Sequence, residues 1–220
     1  MSPSGCPAKV PLNAAGQASF TIATLAAGPH TITAQYNPGT AFAASSGSTG
    51  QTVNRAPLTV TADNQTKITG EANPAFTVSY SGFVLGEGPG VLGGTLTFST
   101  LATTSSPPGT YTITPGGLTS SNYDMTFVSG TLTVLSFAQA TTNLVNQVTA
   151  AHLDDGLANS LVSILQAAID SFNRGDNTAG ENQLEAFQNH VLAQRGHEID
   201  ATLADALLAY AQRIINVAAP

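Results

Sequence analysis

The sequence predicts a multidomain chain in which all-β modules of the sandwich type are followed by a small antiparallel helical bundle. Three observations predict this fold class. Serine and threonine number 39 among residues 1–136 and only 8 among residues 137–220. Before this boundary, short apolar–polar alternations are separated by glycine and proline turns, whereas after it apolar residues recur at helical spacing. A chain of 220 residues has room for about two domains.

Charge is scarce and unevenly distributed along the chain. Charged residues make up 9% of the sequence, against roughly 25% in an ordinary soluble domain, which is typical of secreted β-modules. The net charge is −7, and residues 137–220 contribute −6 of it, because nine acidic residues there outnumber three arginines. Nucleic acids and anionic membranes both require basic surfaces. We therefore expect no nucleic-acid partner and, without a run of about 20 apolar residues, no membrane insertion.

The N-terminus has few structure-forming features. We expect residues 1–10 to be a disordered tail in which Cys6 is a free thiol, because the single cysteine has no partner for an intrachain disulfide. No signal peptide is visible, although the composition is that of an extracellular chain. We therefore expect the sequence to be the C-terminal end of a longer protein.

Residues 11–55 predict too few strands for a complete sandwich, which needs about seven. Strands are predicted at residues 18–22, 30–36 and 50–53, and His30 is expected on a strand surface rather than as a ligand. Three segments carry a family resemblance: Leu12-Asn-Ala-Ala-Gly16-Gln-Ala-Ser-Phe20, Leu25-Ala-Ala-Gly28-Pro-His30-Thr-Ile32-Thr-Ala34-Gln-Tyr36 and Phe42-Ala-Ala-Ser45. They resemble the second half of bacterial Ig-like repeat domains, which implies a partial Ig-like module.

Residues 56–136 carry six strand signals with turn chemistry between them. The predicted strands lie at residues 58–62, 76–81, 95–99, 110–114, 123–128 and 131–135. Turns are predicted at residues 86–90, 107–109 and 115–117. Ser129-Gly130 is predicted to be the two-residue turn of a hairpin, which would place Met125, Phe127, Leu132 and Val134 on one face.

This second module resembles the MBG domain of bacterial surface and secreted proteins. The matching segments are Pro57-Leu-Thr-Val60-Thr-Ala62, Glu71-Ala-Asn73-Pro74-Ala-Phe76, Tyr80-Ser-Gly82-Phe83, Gly109-Thr-Tyr111-Thr-Ile113 and Gly130-Thr-Leu132-Thr-Val134. The family usually has an aromatic residue where this chain has Thr69, so the loop before Gly70 is expected to pack differently. The resemblance implies a β-rich extracellular spacer or adhesin module, generally without catalysis.

The β-module contains one lysine, Lys67, with Glu71 nearby. A spontaneous Lys–Asn isopeptide crosslink would need a lysine desolvated in a core beside an acid. Because Lys67 ends a polar stretch, the sequence favours a solvated loop lysine instead. Asn64-Gln65-Thr66 has the form of a glycosylation acceptor, and we expect Asn64 to be a turn residue.

Four helices are predicted after the boundary, at residues 141–151, 157–173, 178–194 and 201–217. The second has an apolar stripe formed by Leu157, Leu161, Ile164, Leu165, Ala168 and Phe172. Gly175 and Gly196 suit the left-handed residue that closes a helix, and Asp200 suits the N-cap of the fourth. The short loops imply antiparallel neighbours.

The helical region resembles the FIMAH domain, a small helical domain found near the C-termini of bacterial secreted proteins. The resemblance rests on Asp154-Asp155-Gly156-Leu-Ala-Asn159-Ser160-Leu161, Gly175-Asp176-Asn177 and Gln183-Leu-Glu185-Ala-Phe187. The family often has a lysine-rich loop before its last helix, and this chain has Gln194-Arg195-Gly196-His197-Glu198 there. The expected domains are therefore residues 11–55, 56–136 and 137–220.

The sequence points to no catalytic site. His152, Asp154 and Asp155 lack the ligand spacing of a calcium loop, and we expect the two aspartates to start the second helix. His190 and His197 lie seven residues apart across a helix end, which does not suit zinc. Neither a nucleophile elbow nor a phosphate-binding glycine loop is present. We predict no catalytic, cofactor-binding or metal-binding residues, and the ligand-binding residues are unknown.

The predicted function is that of non-catalytic structural or adhesion-type modules from a secreted or cell-surface bacterial protein, with a β stalk and an acidic helical cap or docking domain. One alternative is the accessory C-terminal tail of a secreted enzyme. Another is a carbohydrate- or cell-wall-binding module, although the chain has no tryptophan and Tyr80, Tyr111 and Tyr123 are expected to pack. The partner would be a protein or a cell-surface glycan.

Overall fold

The computed structural model describes residues 9–38 and 42–218. Cys6 and most of the predicted N-terminal tail lie outside the described residues. Within them, β-sheets are followed by four helices, as the composition boundary predicts. The strands are β1 (Gly28–Tyr36), β2 (Ser45–Val53), β3 (Ala56–Ala62), β4 (Gln65–Ile68), β5 (Val78–Ser81), β6 (Gly93–Ser99), β7 (Gly109–Thr119), β8 (Tyr123–Val128) and β9 (Gly130–Leu135). The helices are α1 (Phe137–Ala150), α2 (Asp155–Asn173), α3 (Asn177–Gln194) and α4 (Ala201–Ala218).

The strands form three sheets. β1 and β2 are an antiparallel pair, a second sheet has the order β5-β3-β8, and a third has the order β4-β9-β7-β6. β4 runs parallel to β9 with Lys67 opposite Val134, and β7 runs antiparallel to β9 with Tyr111 opposite Leu132. Leu132 and Val134 are buried, so β9 is a core strand with a neighbour on each side.

The β1–β2 pair contains two of the three strands predicted for the first module. His30 lies in β1 and its Nε2 is 2.7 Å from the carbonyl oxygen of Ala26. The third predicted strand, at residues 18–22, is wrong, since residues 17–26 contain no strand. Apolar–polar alternation gives a segment one apolar and one polar face, but a strand also needs a neighbour to which its backbone can hydrogen-bond. β1 and β2 pair with each other, and residues 18–22 pair with neither of them.

The hairpin predicted at Ser129-Gly130 is also wrong. β8 belongs to the three-stranded sheet, whereas β9 belongs to the four-stranded one, so the chain changes sheets at Ser129. A Cβ atom on Gly130 would lie 2.4 Å from the Ala62 carbonyl oxygen. The glycine is therefore required by a close backbone approach rather than by a turn. Phe127 is 36% exposed, so it does not share the buried face of Leu132 and Val134.

Two further strand boundaries differ from the predictions. Residues 65–68, assigned to a polar loop, form β4 at the edge of the four-stranded sheet. Residues 115–117, predicted as a turn, lie inside β7. Gly117 has a φ of +85°, and a Cβ atom there would lie 2.2 Å from the Thr95 carbonyl oxygen. The glycine lets the strand continue where another residue would clash.

The helices begin and end where capping chemistry allows. α1 starts four residues before its predicted position because Ser136 and Gln139 form a reciprocal capping box. The side chains of Asp154 and Asp200 accept backbone N–H groups at the starts of α2 and α4, as predicted. Gly175 and Gly196, which close α2 and α3, have φ values of +78° and +75°.

The chain divides into two compact units. The first comprises residues 1–59, 80–94 and 118–126, as far as they are described, and the second comprises residues 60–79, 95–117 and 127–220 up to residue 218. In the first unit, buried Tyr123 contacts Phe83 edge-on. The second unit contains a sheet core around Ile113, Leu132 and Val134, together with a larger core shared by all four helices. No helix among the described residues is both long and apolar enough to cross a membrane.

Candidate functional site

The most unusual polar group of the second unit is the Lys67 side chain, which is only 1% exposed. Its ammonium group donates to the carbonyl oxygens of Glu71, at 2.9 Å, and of Thr103, at 2.6 Å. The prediction of a solvated loop lysine is therefore wrong. β4 pairs with β9, which turns Lys67 inward from a stretch whose composition is that of a loop.

Glu71, four residues after Lys67, forms a bidentate ion pair with Arg213. Arg213 of α4 donates from Nε to Oε1 of Glu71, and from its terminal nitrogen to Oε2 at 2.7 Å. The backbone N–H of Ile68 also donates to Oε2, at 2.7 Å. The Glu71 side chain is 17% exposed and that of Arg213 is 43% exposed, so the pair is partly shielded from water.

Apolar contacts surround these polar groups. Ile68 is fully buried, and its side chain belongs to the core formed by the helices. A Cβ atom on Gly70 would come within 3.2 Å of the Val217 side chain on α4. The Thr69 N–H donates to the carbonyl oxygen of Leu135, the last residue of β9. We call residues 67–71 together with Leu135, Arg213 and Val217 the sheet–helix junction.

The environment shifts the pKa values of the three charged groups. Burial lowers the pKa of Lys67, and the negative charge of Glu71 offsets part of this effect. Burial alone would raise the pKa of Glu71, but the Arg213 and Ile68 hydrogen bonds, with the charges of Arg213 and Lys67, bring it below its usual value. The hydrogen bond to Glu71 raises the pKa of Arg213 against the effect of burial.

The junction contains the residue types used in Lys–Asn crosslinking, but their arrangement is that of a structural ion pair. Crosslinking needs an acid that passes a proton between the lysine and the amide. Here Arg213 holds the Glu71 carboxylate in its charged form, and Lys67 donates to backbone carbonyls. The Asn73 side chain donates at 2.7 Å to the Ala102 carbonyl oxygen. The geometry therefore supports stabilisation rather than covalent chemistry.

An open cleft of about 510 Å³ lies at the turn between α1 and α2. His152 and Asp155 line it, and His152 has a left-handed backbone with a φ of +52°. Asp154 accepts hydrogen bonds at the start of α2, and Asp155 lies in the first turn of that helix, so the structure uses both aspartates as expected. Across residues 9–38 and 42–218, no three His, Cys, Asp or Glu side chains are grouped as a metal site.

The first unit contains two other features. The Tyr123 hydroxyl donates to the Glu87 carboxylate and accepts from the Val84 N–H, and the bond to Glu87 raises the pKa of Tyr123. Tyr123 therefore fixes the loop before β6 from within the core. A separate shallow groove is lined by exposed apolar side chains that include Phe20, Ile22 and Ile32.

Sequence reasoning missed Arg213 and misplaced Lys67. The available signal for Arg213 was weak: it is one of three cations in a strongly acidic region, four residues before the apolar Val217. This spacing puts the two side chains on one helix face. Nothing in the sequence identifies Glu71, 142 positions away, as the partner of Arg213.

Comparison with protein families agrees with both principal resemblances. Residues 58–133 match the MBG domain of the YGX type, and residues 138–216 match the FIMAH domain. Both are non-catalytic, structural-type modules typical of extracellular bacterial proteins. No curated protein and no solved structure matches the chain. Neither match covers residues 11–55, so the Ig-like character of that segment stays a prediction. The chain carries an MBG domain followed at once by a FIMAH domain.

Proposed function

We propose that this chain is a non-catalytic structural or adhesion-type section of a secreted or cell-surface bacterial protein. In this proposal the β-modules, sandwich-like in architecture, form a stalk. The four helices, arranged as an antiparallel bundle, form an acidic cap or docking domain. The observation that carries the proposal is the succession of an MBG domain and a FIMAH domain with only a few residues between the two matches.

The composition supports an extracellular setting. The β-modules have few charged residues and many serine and threonine residues, so neutral polar groups make up most of their polar side chains. The helical region has a net charge of −6, which disfavours nucleic acid and anionic lipid as partners. We therefore propose a protein or a surface glycan as the partner.

The location is tested with an antibody raised against the purified chain. Intact cells of the bacterium that carries the gene, their culture medium and their cytosol are probed, with a cytosolic enzyme as the marker of lysis. Antigen on intact cells or in the medium, without the marker, is the expected result. Antigen confined to the cytosol would overturn the proposal.

The accessory tail of a secreted enzyme is the alternative role for the same modules. Reading the genomic sequence in frame with this chain separates the two roles. Additional Ig-like or MBG modules behind a signal peptide support the stalk, whereas a catalytic domain in the same reading frame makes this region an enzyme tail.

Carbohydrate binding is tested directly on the purified chain. Sugar-binding platforms expose several aromatic rings together. The exposed rings among the described residues are Phe20, Tyr36, Phe42 and Phe127, of which Phe127 alone lies in the MBG match. We therefore expect no saturable binding to a glycan array or to isolated cell wall through the MBG domain. Binding abolished by substitution of Tyr80 or Tyr111 would favour the carbohydrate-binding role.

A further inference from the structure

The helices of this chain are attached to the preceding sheet at two separate places. The first is covalent: β9 ends at Leu135, α1 begins at Phe137, and Ser136 is the only residue between them. Ser136 is held in place by the capping box with Gln139, so it is not a free hinge. Leu135 and Phe137 both pack against the helical core.

The second attachment comes from the opposite end of the helical domain. α4 is the last helix, and its Arg213 forms the bidentate pair with Glu71 on the loop after β4. One turn further along α4, Val217 lies against Gly70. A domain attached through both its first and its last helix cannot rotate about either attachment alone.

The apolar core is continuous across the same region. Ile68 is a residue of β4, yet its side chain is fully buried in the core of the helices. Its N–H donates to Glu71, while the neighbouring Lys67 donates to the carbonyl oxygens of Glu71 and Thr103. The loop that receives Arg213 is therefore itself fixed from inside the sheet.

We propose that the sheet–helix junction makes the four helices and the adjoining sheet residues 60–79, 95–117 and 127–135 one rigid, cooperatively folding body, with the Glu71–Arg213 pair as its clamp. The FIMAH domain then does not move independently of the sheet, as a domain on a flexible linker would. A partner bound by the helices would be held in a fixed orientation to the four-stranded sheet. This inference does not depend on the proposed function, because it concerns only the mechanics of the folded chain.

The test uses the full chain and its Glu71→Gln and Arg213→Gln variants. Thermal unfolding is followed by calorimetry, and backbone ¹⁵N relaxation compares amides of β7 and β9 with those of α2 and α3. For the unchanged protein we expect a single calorimetric transition. We also expect the sheet and helix amides to have the same rotational correlation time, and their NMR signals to disappear over the same temperature range. In each variant we expect a melting temperature lower by roughly 2–8 °C and a measurable separation of the sheet and helix amides in both readouts.

The matched control is Asp205→Asn. Arg195 and Asp205 form an equally bidentate pair, with both distances 2.7 Å, but both residues belong to the helical domain. The control is expected to lower the melting temperature by less than about 2 °C and to leave sheet and helices coupled. Gly70→Val is a second probe, because its side chain would meet Val217 while both charges remain. Gly70 has a φ of +90°, so the control for backbone strain is Gly175→Val, at a φ of +78° with nothing within 4 Å of its Cβ. Gly70→Val should also separate the two sets of amides, and Gly175→Val should not.

Two results would overturn the proposal. One is an unchanged protein whose sheet and helix amides tumble or unfold separately. The other is that Glu71→Gln and Arg213→Gln alter the melting temperature and the coupling of sheet and helix amides no more than Asp205→Asn does. Helical circular dichroism at low temperature shows whether each variant is folded, and if one clamp variant is not, the other variant and Gly70→Val still decide between these outcomes.

Discussion

At the scale of single residues, burial of Lys67 is the largest departure from what the sequence predicts. Removing an ammonium group from water is costly unless hydrogen bonds and an opposite charge compensate. The Glu71 and Thr103 carbonyl oxygens and the nearby Glu71 carboxylate provide that compensation. Glu71 lies only four positions from Lys67 in the sequence, but Thr103, 36 positions away, cannot be recognised as a partner from the polar segment that precedes Lys67.

The first prediction concerns the removal of this buried ammonium group. Lys67→Met keeps most of the side-chain volume but leaves the partly buried carbonyl oxygens of Glu71 and Thr103 without the Lys67 donor. We expect the free energy of unfolding to fall by about 1–3 kcal/mol. Chemical denaturation monitored by circular dichroism measures the change. Lys9→Met, at an exposed position, is the control and should change it by less than about 0.5 kcal/mol. Equal midpoints for the two variants would contradict the structural role of Lys67.

The second prediction concerns Gly130, where sequence and structure give the glycine different roles. In Gly130→Ala the new Cβ would meet the Ala62 backbone at 2.4 Å, so one strand must shift. We expect a loss of about 1–3 kcal/mol in the free energy of unfolding, measured by urea denaturation. Gly116→Ala is the matched control, because its Cβ would have only Thr97 at 4.0 Å. A Gly130→Ala variant as stable as Gly116→Ala would mean that the backbones are not in contact there.

At the scale of elements, local signals predict the helices well and strand partners poorly. Helices depend on contacts within one turn, so the stripe of α2 and the caps Asp154 and Asp200 can be identified from the sequence. Strand neighbours depend on distant residues. The alternation around Ser129 fits a hairpin and a change of sheet equally well, and only the approach of Ala62 to Gly130 distinguishes them. The junction was beyond prediction for the same reason.

The third prediction concerns the start of α1. Ser136→Ala removes the hydroxyl that accepts the Gln139 N–H and breaks the capping box. We expect a loss of about 0.5–2 kcal/mol in the free energy of unfolding, with faster hydrogen exchange in the first turn of α1. Ser163→Ala, at an exposed position inside α2, is the control and should not destabilise the protein. If the two variants were equally stable, the cap would not be what fixes the start of α1.

At the scale of the whole molecule, the carboxylates determine how stability changes with acidity. The pKa of Asp200 is lowered by the backbone N–H groups of Leu203 and Thr202, and that of Asp205 by its hydrogen bond with Arg195. The pKa of Glu71 is also below its usual value, because the Arg213 and Ile68 hydrogen bonds outweigh the cost of burial. Each folded carboxylate therefore takes up a proton less readily than its unfolded counterpart.

The fourth prediction follows from these three shifts. Above the ordinary carboxylate pKa of about 4, all three groups are ionised in both states and their stabilisation is complete. As the pH falls below that value, the unfolded chain binds protons first, so the free energy of unfolding decreases until the folded carboxylates are also protonated. In the alkaline range the shifts of Lys67 and Tyr123 act in opposite directions. A lysine with a lowered pKa adds stability as the pH rises, whereas a tyrosine with a raised pKa loses it.

The contribution of the Glu71 carboxylate to stability can therefore be separated in the acid range. The measurement is the melting temperature between pH 7 and pH 2.5. Glu71→Gln removes one proton-binding difference between the two states, so its melting temperature should be lower at pH 7 and should fall less steeply on acidification. The two curves should converge at the acid end, because the unchanged protein has by then lost the Glu71 carboxylate as well. Parallel curves would show that Glu71 has the same pKa in both states. Such a result would imply that the contact with Arg213 contributes through packing alone, since an ion pair that stabilises the fold must also favour the charged carboxylate.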